Sequence, residues 1–163
     1  MQKLFNPSLV INYLLKVRAY KFVLIFFGFS VLSGAITTFL PEPEMAEPIT
    51  SESILNQILL TVFLAPVIEA LLFQVLIIDA VRKIIKRPKK NFCLALLLSS
   101  TAFALNHTYS LSYIAFTFFG GLELALAYYL GRYRRENAVI IVVLNHSLYN
   151  LSVVLYNHFF YPV

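Results

Sequence analysis

From Ile54 to Ala80 the chain is predominantly apolar, yet a carboxylate, Glu69, sits near the middle of the run. About 20 such residues suffice for a helix to cross the hydrocarbon core of a bilayer. The run exceeds that length, which points to a membrane-spanning helix. A charged side chain at that depth costs about 2.5–3.5 kcal/mol on insertion scales. Glu69 therefore needs a partner or a polar cavity, and the rest of the chain has to supply one.

The composition fits a membrane protein throughout. Hydrophobic residues make up 60% and charged ones 13%, with a mean hydropathy of +0.77. The net charge of +5 raises the question of nucleic acid. The basic residues, however, fall in short clusters at the ends of apolar runs, a pattern that orients membrane proteins and forms no phosphate-tracking groove. No nucleic-acid partner is expected. Cys93 is the one cysteine and has no internal disulfide partner.

Taken in order, residues 1–21 carry Lys3, Lys16, Arg18 and Lys21 among apolar residues, which suits an amphipathic helix on the membrane surface or a plain basic flank. Phe22 to Leu40 is a first span, favoured over a cleaved signal peptide because the apolar run continues past the small residues Ser33-Gly34-Ala35. Ser30 and Gly34 offer a small-xxx-small approach for a neighbouring helix. Pro41 to Ser53, with prolines and glutamates, reads as a polar loop outside the bilayer. Ile54 to Ala80 is the second span, with a kink expected at Pro66.

A basic segment from Arg82 to Lys90 follows, and anionic lipid headgroups are natural partners for it. Phe92 to about His107 is the third span, Tyr109 to Leu111 a turn, and Leu111 to Leu130 the fourth span, where Gly120-Gly121 permits close packing. Arg132, Arg134 and Arg135 precede a fifth span from Ala138 to about Tyr156. The expected fold is an all-α, polytopic transmembrane helix bundle of about five spans, with the N-terminus and both basic loops cytoplasmic. Residues 1–21 form the N-terminal segment and residues 22–163 one transmembrane domain.

Three polar stretches lie at comparable depth. Counting about 1.5 Å per residue from the basic edges places Glu69 roughly 18 Å, His107 roughly 24 Å, His146 about 12 Å and Asn150 about 18 Å into the bilayer. His146 and Asn150 are four residues apart and share a helix face, as do Phe103 and His107. A glutamate and a histidine together can hold and deprotonate a water. A second histidine and an amide can donate hydrogen bonds to a developing oxyanion. The set suits hydrolysis. One Glu and two His are also a known zinc set, but no HExxH is present and the candidates fall on three helices, so no cofactor is expected and spacing does not support zinc. Among the other polar residues, Glu123 reads as a helix-bridging acid and Asp79 as a partner of Arg82 and Lys83. Asn106 and Asn145 read as helix bridges, and His158 as solvated.

These three stretches resemble the motifs of the CAAX protease and bacteriocin-processing family of intramembrane proteases, which includes the type II CAAX prenyl endopeptidases. The first motif is matched by Glu69 through Gln74, the second by Phe103 and His107, the third by His146 and Asn150, within a similar region from about Leu59 to Asn157. Ala70 stands where that family usually has a second glutamate, and Gln74 where it usually has arginine. The resemblance implies an intramembrane endopeptidase of the cell membrane, as in a bacterial inner membrane, acting on a membrane-associated peptide or protein. In it, Glu69 and His107 would activate water while His146 and Asn150 form the oxyanion site. Two alternatives stay open: a non-catalytic immunity or scaffold protein of the same fold, and a small proton-coupled channel. Oligomeric state is not legible in the sequence.

Overall fold

A computed structural model describes residues 8–37 and 53–160 as six helices with no strand among them. They are α1 (Leu9–Lys16), α2 (Ala19–Thr37), α3 (Ile54–Ile84), α4 (Pro88–Leu105), α5 (Leu111–Gly131) and α6 (Ala138–Phe160). The polar loop expected from Pro41 to Ser53 lies, up to Glu52, outside the described residues. Helices α3, α5 and α6 are each long and apolar enough to cross a membrane, and α2 contributes a shorter apolar stretch, Ala19–Ala35. Helix α4 opens with Pro88, Lys89, Lys90 and Asn91, which leaves its apolar part short. The molecule is a helical membrane bundle.

Large apolar side chains such as Leu59, Phe63, Leu71, Leu97 and Phe119 point outward. That surface suits lipid, since hydrocarbon asks nothing of a side chain except that it not be polar. The interior mixes small and aromatic residues with aliphatic ones such as Ile78, Leu130 and Val142. Gly121 of α5 lies against α4 so closely that a Cβ there would stand 3.1 Å from Ser100 Cα and 3.2 Å from the Phe103 ring. Gly34 of α2 faces α6, where a Cβ would come within 2.7 Å of the Tyr149 hydroxyl. Glu123 bridges helices as expected: Ser30 of α2 donates to its Oε1 at 2.8 Å.

Helix ends are closed by side chains. Ser53 accepts from the Asn56 N–H at 3.3 Å, Ser110 from Tyr113 at 3.1 Å, and Asn137 from Val139 at 2.9 Å. At the end of α3, Asn91 donates to the carbonyls of Val81 (3.3 Å) and Ile85 (2.8 Å) and accepts from the Tyr129 hydroxyl at 2.8 Å. Arg134 does the same for α1, reaching the carbonyls of Leu14 and Val17 while its guanidinium lies over the Phe22 ring. Asp79 pairs across the bundle with Arg132 at 3.3 Å and accepts from the Tyr128 hydroxyl at 3.1 Å, two partners the sequence reading did not name. Arg82 lies over the rings of Tyr129 and Tyr133. Asn106 is exposed at the end of α4 and bridges nothing inside the bundle, whereas Asn145 is fully buried.

Helix α3 is the irregular one. Two π-helical stretches, Ile58–Leu64 and Ala70–Leu76, flank an α-helical interval, Ala65–Glu69. Pro66 sits at the start of that interval and Glu69 ends it. The kink expected at Pro66 thus takes the form of a change in register, with the backbone N–H of Ala65 reaching back to the Leu60 carbonyl. Such stretches recur at functional sites.

Candidate active site

Three of the four candidate residues converge. Glu69 Oε1 lies 3.9 Å from His107 Nε2, and its Oε2 lies 3.6 Å from His146 Nε2. Each side chain comes from a different element: Glu69 from the middle of α3, His146 from α6, and His107 from just beyond α4. The last is a shift from expectation. Helix α4 stops at Leu105, and the His107 N–H bonds the Ala104 carbonyl in a tightened final turn. The end of the helix, and not its flank, presents His107. The side chains of Glu69 and His107 keep 16% and 17% exposure, so the cluster is sheltered but reachable.

Phe103 explains how the two imidazoles are held. It is buried, with its ring centroid 4.6 Å from that of His107 and 5.9 Å from that of His146, and it meets Phe73 of α3 edge-on at 5.6 Å. One ring therefore backs both histidines and the helix that carries the glutamate. The His107 Nδ1 lies 2.8 Å from the Phe103 carbonyl. A carbonyl only accepts, so Nδ1 carries a proton and Nε2 is the nitrogen that faces Glu69.

Asn150 is placed differently. Its Nδ2 donates to the backbone carbonyl of Thr61 at 2.7 Å, tying α6 to α3. One N–H and the amide oxygen remain for other partners. Two features carried no signal in the sequence. Tyr113, in the first turn of α5, has its ring centroid 6.2 Å from that of His107; no spacing rule links it to the motifs. The Thr61 carbonyl is a backbone group, and only Pro66 hints at it.

A family model for type II CAAX prenyl endopeptidases, Rce1-like, matches residues 51–152. That is more than half of the 163 residues. The chain belongs to this Rce1-like family. The match spans all three polar stretches and leaves α1 and α2 outside. No curated protein and no solved structure matches the chain. Family membership implies a protease acting in the membrane on membrane-associated protein.

Within that Rce1-like frame, Ala70 and Gln74 are both fully buried, and neither amide atom of Gln74 has a hydrogen-bond partner among the described residues. A lone buried arginine without its carboxylate would be an uncompensated charge. Ala70 with Gln74 leaves the interior neutral.

Among the described residues no three His, Cys, Asp or Glu side chains are grouped to hold a metal ion. A metal-bound imidazole normally has its second nitrogen held by an acceptor. His107 meets that condition, but the Nδ1 of His146 is buried without a partner. His146 thus lacks the second-nitrogen acceptor usual for a metal ligand.

Proposed function

We propose that this Rce1-like protein is an intramembrane endopeptidase of the cell membrane, with its basic ends inside, that cleaves a peptide bond by water activated between Glu69 and His107. The observation that carries the reading is the approach of the Glu69 carboxylate to Nε2 of His107 at 3.9 Å, which in the neutral imidazole protonated at Nδ1 sets two acceptors facing each other. That separation is too long for a direct hydrogen bond. A water donating one hydrogen to each would bridge it and would keep its own lone pairs free to attack. As the new C–O bond forms, Glu69 takes a proton from the water. It returns that proton to the amine as the C–N bond breaks. His146 and the remaining N–H of Asn150 supply hydrogen bonds to the oxyanion. Membrane lipids are the solvent of the reaction, and no cofactor takes part.

The family description suggests a prenylated Cys-aliphatic-aliphatic-X terminus as substrate. The test is cleavage of a quenched fluorescent peptide with that terminus, prenylated or not, by purified protein in lipid. Cleavage lost in Glu69→Gln supports the reading, and equal cleavage by parent and variant refutes it. A second reading, a non-catalytic scaffold, is favoured by the neutral Ala70 and Gln74. It predicts that Glu69→Gln retains partner binding and that the parent cleaves nothing.

A further inference from the structure

Pro66 lies outside the three motifs and Asn150 within the third, yet the Thr61 carbonyl links their roles. In an α-helix the Thr61 carbonyl would accept from the N–H of Ala65, and in a π-helix from residue 66. Neither donor is there. The Ala65 N–H goes to the Leu60 carbonyl, and Pro66 has no N–H. The vacated acceptor is taken by Asn150 Nδ2 at 2.7 Å. The Thr61 side chain plays no part in this, because its hydroxyl donates to the Gln57 carbonyl at 2.7 Å.

We infer that Pro66 is a positioning residue: by leaving the Thr61 carbonyl free, it fixes the amide of Asn150, one turn of α6 beyond His146, against the helix that carries Glu69. Asn150 lies four residues beyond His146 on the same helix, and Thr61 lies on the helix that carries Glu69. The bond therefore sets α6 against α3 and orients the second N–H of Asn150. This rests on the endopeptidase reading for its kinetic consequence, but the hydrogen bond itself does not.

The test is a double-mutant cycle of Pro66→Ala and Asn150→Ala on the quenched peptide. Alanine at 66 restores an N–H that competes for the Thr61 carbonyl. Misplacement of a catalytic group by about 1 Å can cost on the order of 10²-fold in rate, so kcat of Pro66→Ala should fall by about 10- to 100-fold with little change in KM. The melting temperature should stay at or above the parent's, since a helix gains from losing an internal proline. In the Asn150→Ala background the same change should cost less than about threefold. Thr61→Val, which keeps the carbonyl, should match the parent.

The inference is overturned if Pro66→Ala keeps full kcat while Asn150→Ala loses it, or if the two losses simply multiply. If the parent cleaves nothing, the endopeptidase reading fails on its own and the bond is decided by NMR of protein labelled at asparagine side-chain amides. An Asn150 signal, identified by its loss in Asn150→Ala, that moves in Pro66→Ala supports the bond; one that stays put refutes it.

Discussion

The two polar regions of this bundle are built on opposite terms. At the basic end, Asn91 bonds two carbonyls and a tyrosine, Asp79 pairs with Arg132 and Tyr128, and Arg134 closes the end of α1. Asn91 and Arg134 are held by direct hydrogen bonds, and Asp79 Oδ1, which has no hydrogen bond, meets Arg132 as an ion pair at 3.3 Å. At the cluster of Glu69, His107 and His146 the closest approaches are 3.6 and 3.9 Å, and both Glu69 Oε2 and His146 Nδ1 lack a hydrogen-bond partner among the described residues. Buried polar groups are ordinarily satisfied. A region that satisfies them is structural cement, and one that leaves them facing each other is arranged for a guest.

The comparison breaks first at Glu69. If its unmet acceptors serve chemistry, Glu69→Gln should remove turnover to background while the protein stays folded, because among the described residues no second carboxylate pairs with His107 or His146. Circular dichroism and melting temperature beside the cleavage rate decide this. A variant that unfolds would place Glu69 with the structural groups.

Asn150 stands between the two terms, with one N–H committed to the Thr61 carbonyl and one left over. Loss of a single oxyanion donor costs about 10²–10³-fold in kcat. Asn150→Ala should therefore leave measurable turnover, which single-turnover kinetics on the quenched peptide would quantify. A loss as complete as that of Glu69→Gln would show that Asn150 does more than donate.

Asn91 tests the other side. Removing it takes the side-chain donor from the Ile85 carbonyl and the acceptor from the Tyr129 hydroxyl, while the Val81 carbonyl keeps the Ile85 N–H at 2.8 Å; an unsatisfied buried group costs about 1–3 kcal/mol. Asn91→Ala should lower stability by about that amount, read from denaturant unfolding in micelles, while kcat per folded molecule changes less than about twofold. A larger fall in kcat than in stability would tie the basic end to the site.

Much of this division was legible from residues alone. Runs of apolar residues and basic edges give the helices, because hydrocarbon forces both length and composition. Glu69, His107 and His146 stood out because polar groups in such runs demand partners. What escaped was set by the backbone and by distance along the chain. Nothing in the identity of Asp79 points to Arg132 and Tyr128, since those contacts are made by how α3 and α5 pack. The π-helical stretches of α3 and the free Thr61 carbonyl have no side-chain signature beyond Pro66. His107 was expected within a helix, but α4 ends at Leu105, where no glycine or proline announced the stop.

The smallest expected effect is that of metal removal. A metal would convert the open cluster into a satisfied one, erasing the contrast with the basic end. The donors argue otherwise: Nδ1 of His146 lacks the acceptor that fixes a ligating imidazole, whereas the fixed tautomer of His107 leaves Nε2 ready to accept from water. Incubation with a strong chelator, followed by its removal, should leave the cleavage rate within about twofold of untreated protein, since base and oxyanion donors are all protein groups. The check is the rate before and after treatment, with metal content followed by elemental analysis. Inactivation that added zinc reverses would overturn the metal-free mechanism, and would recast Glu69, His107 and His146 as ligands whose unmet valences the ion supplies.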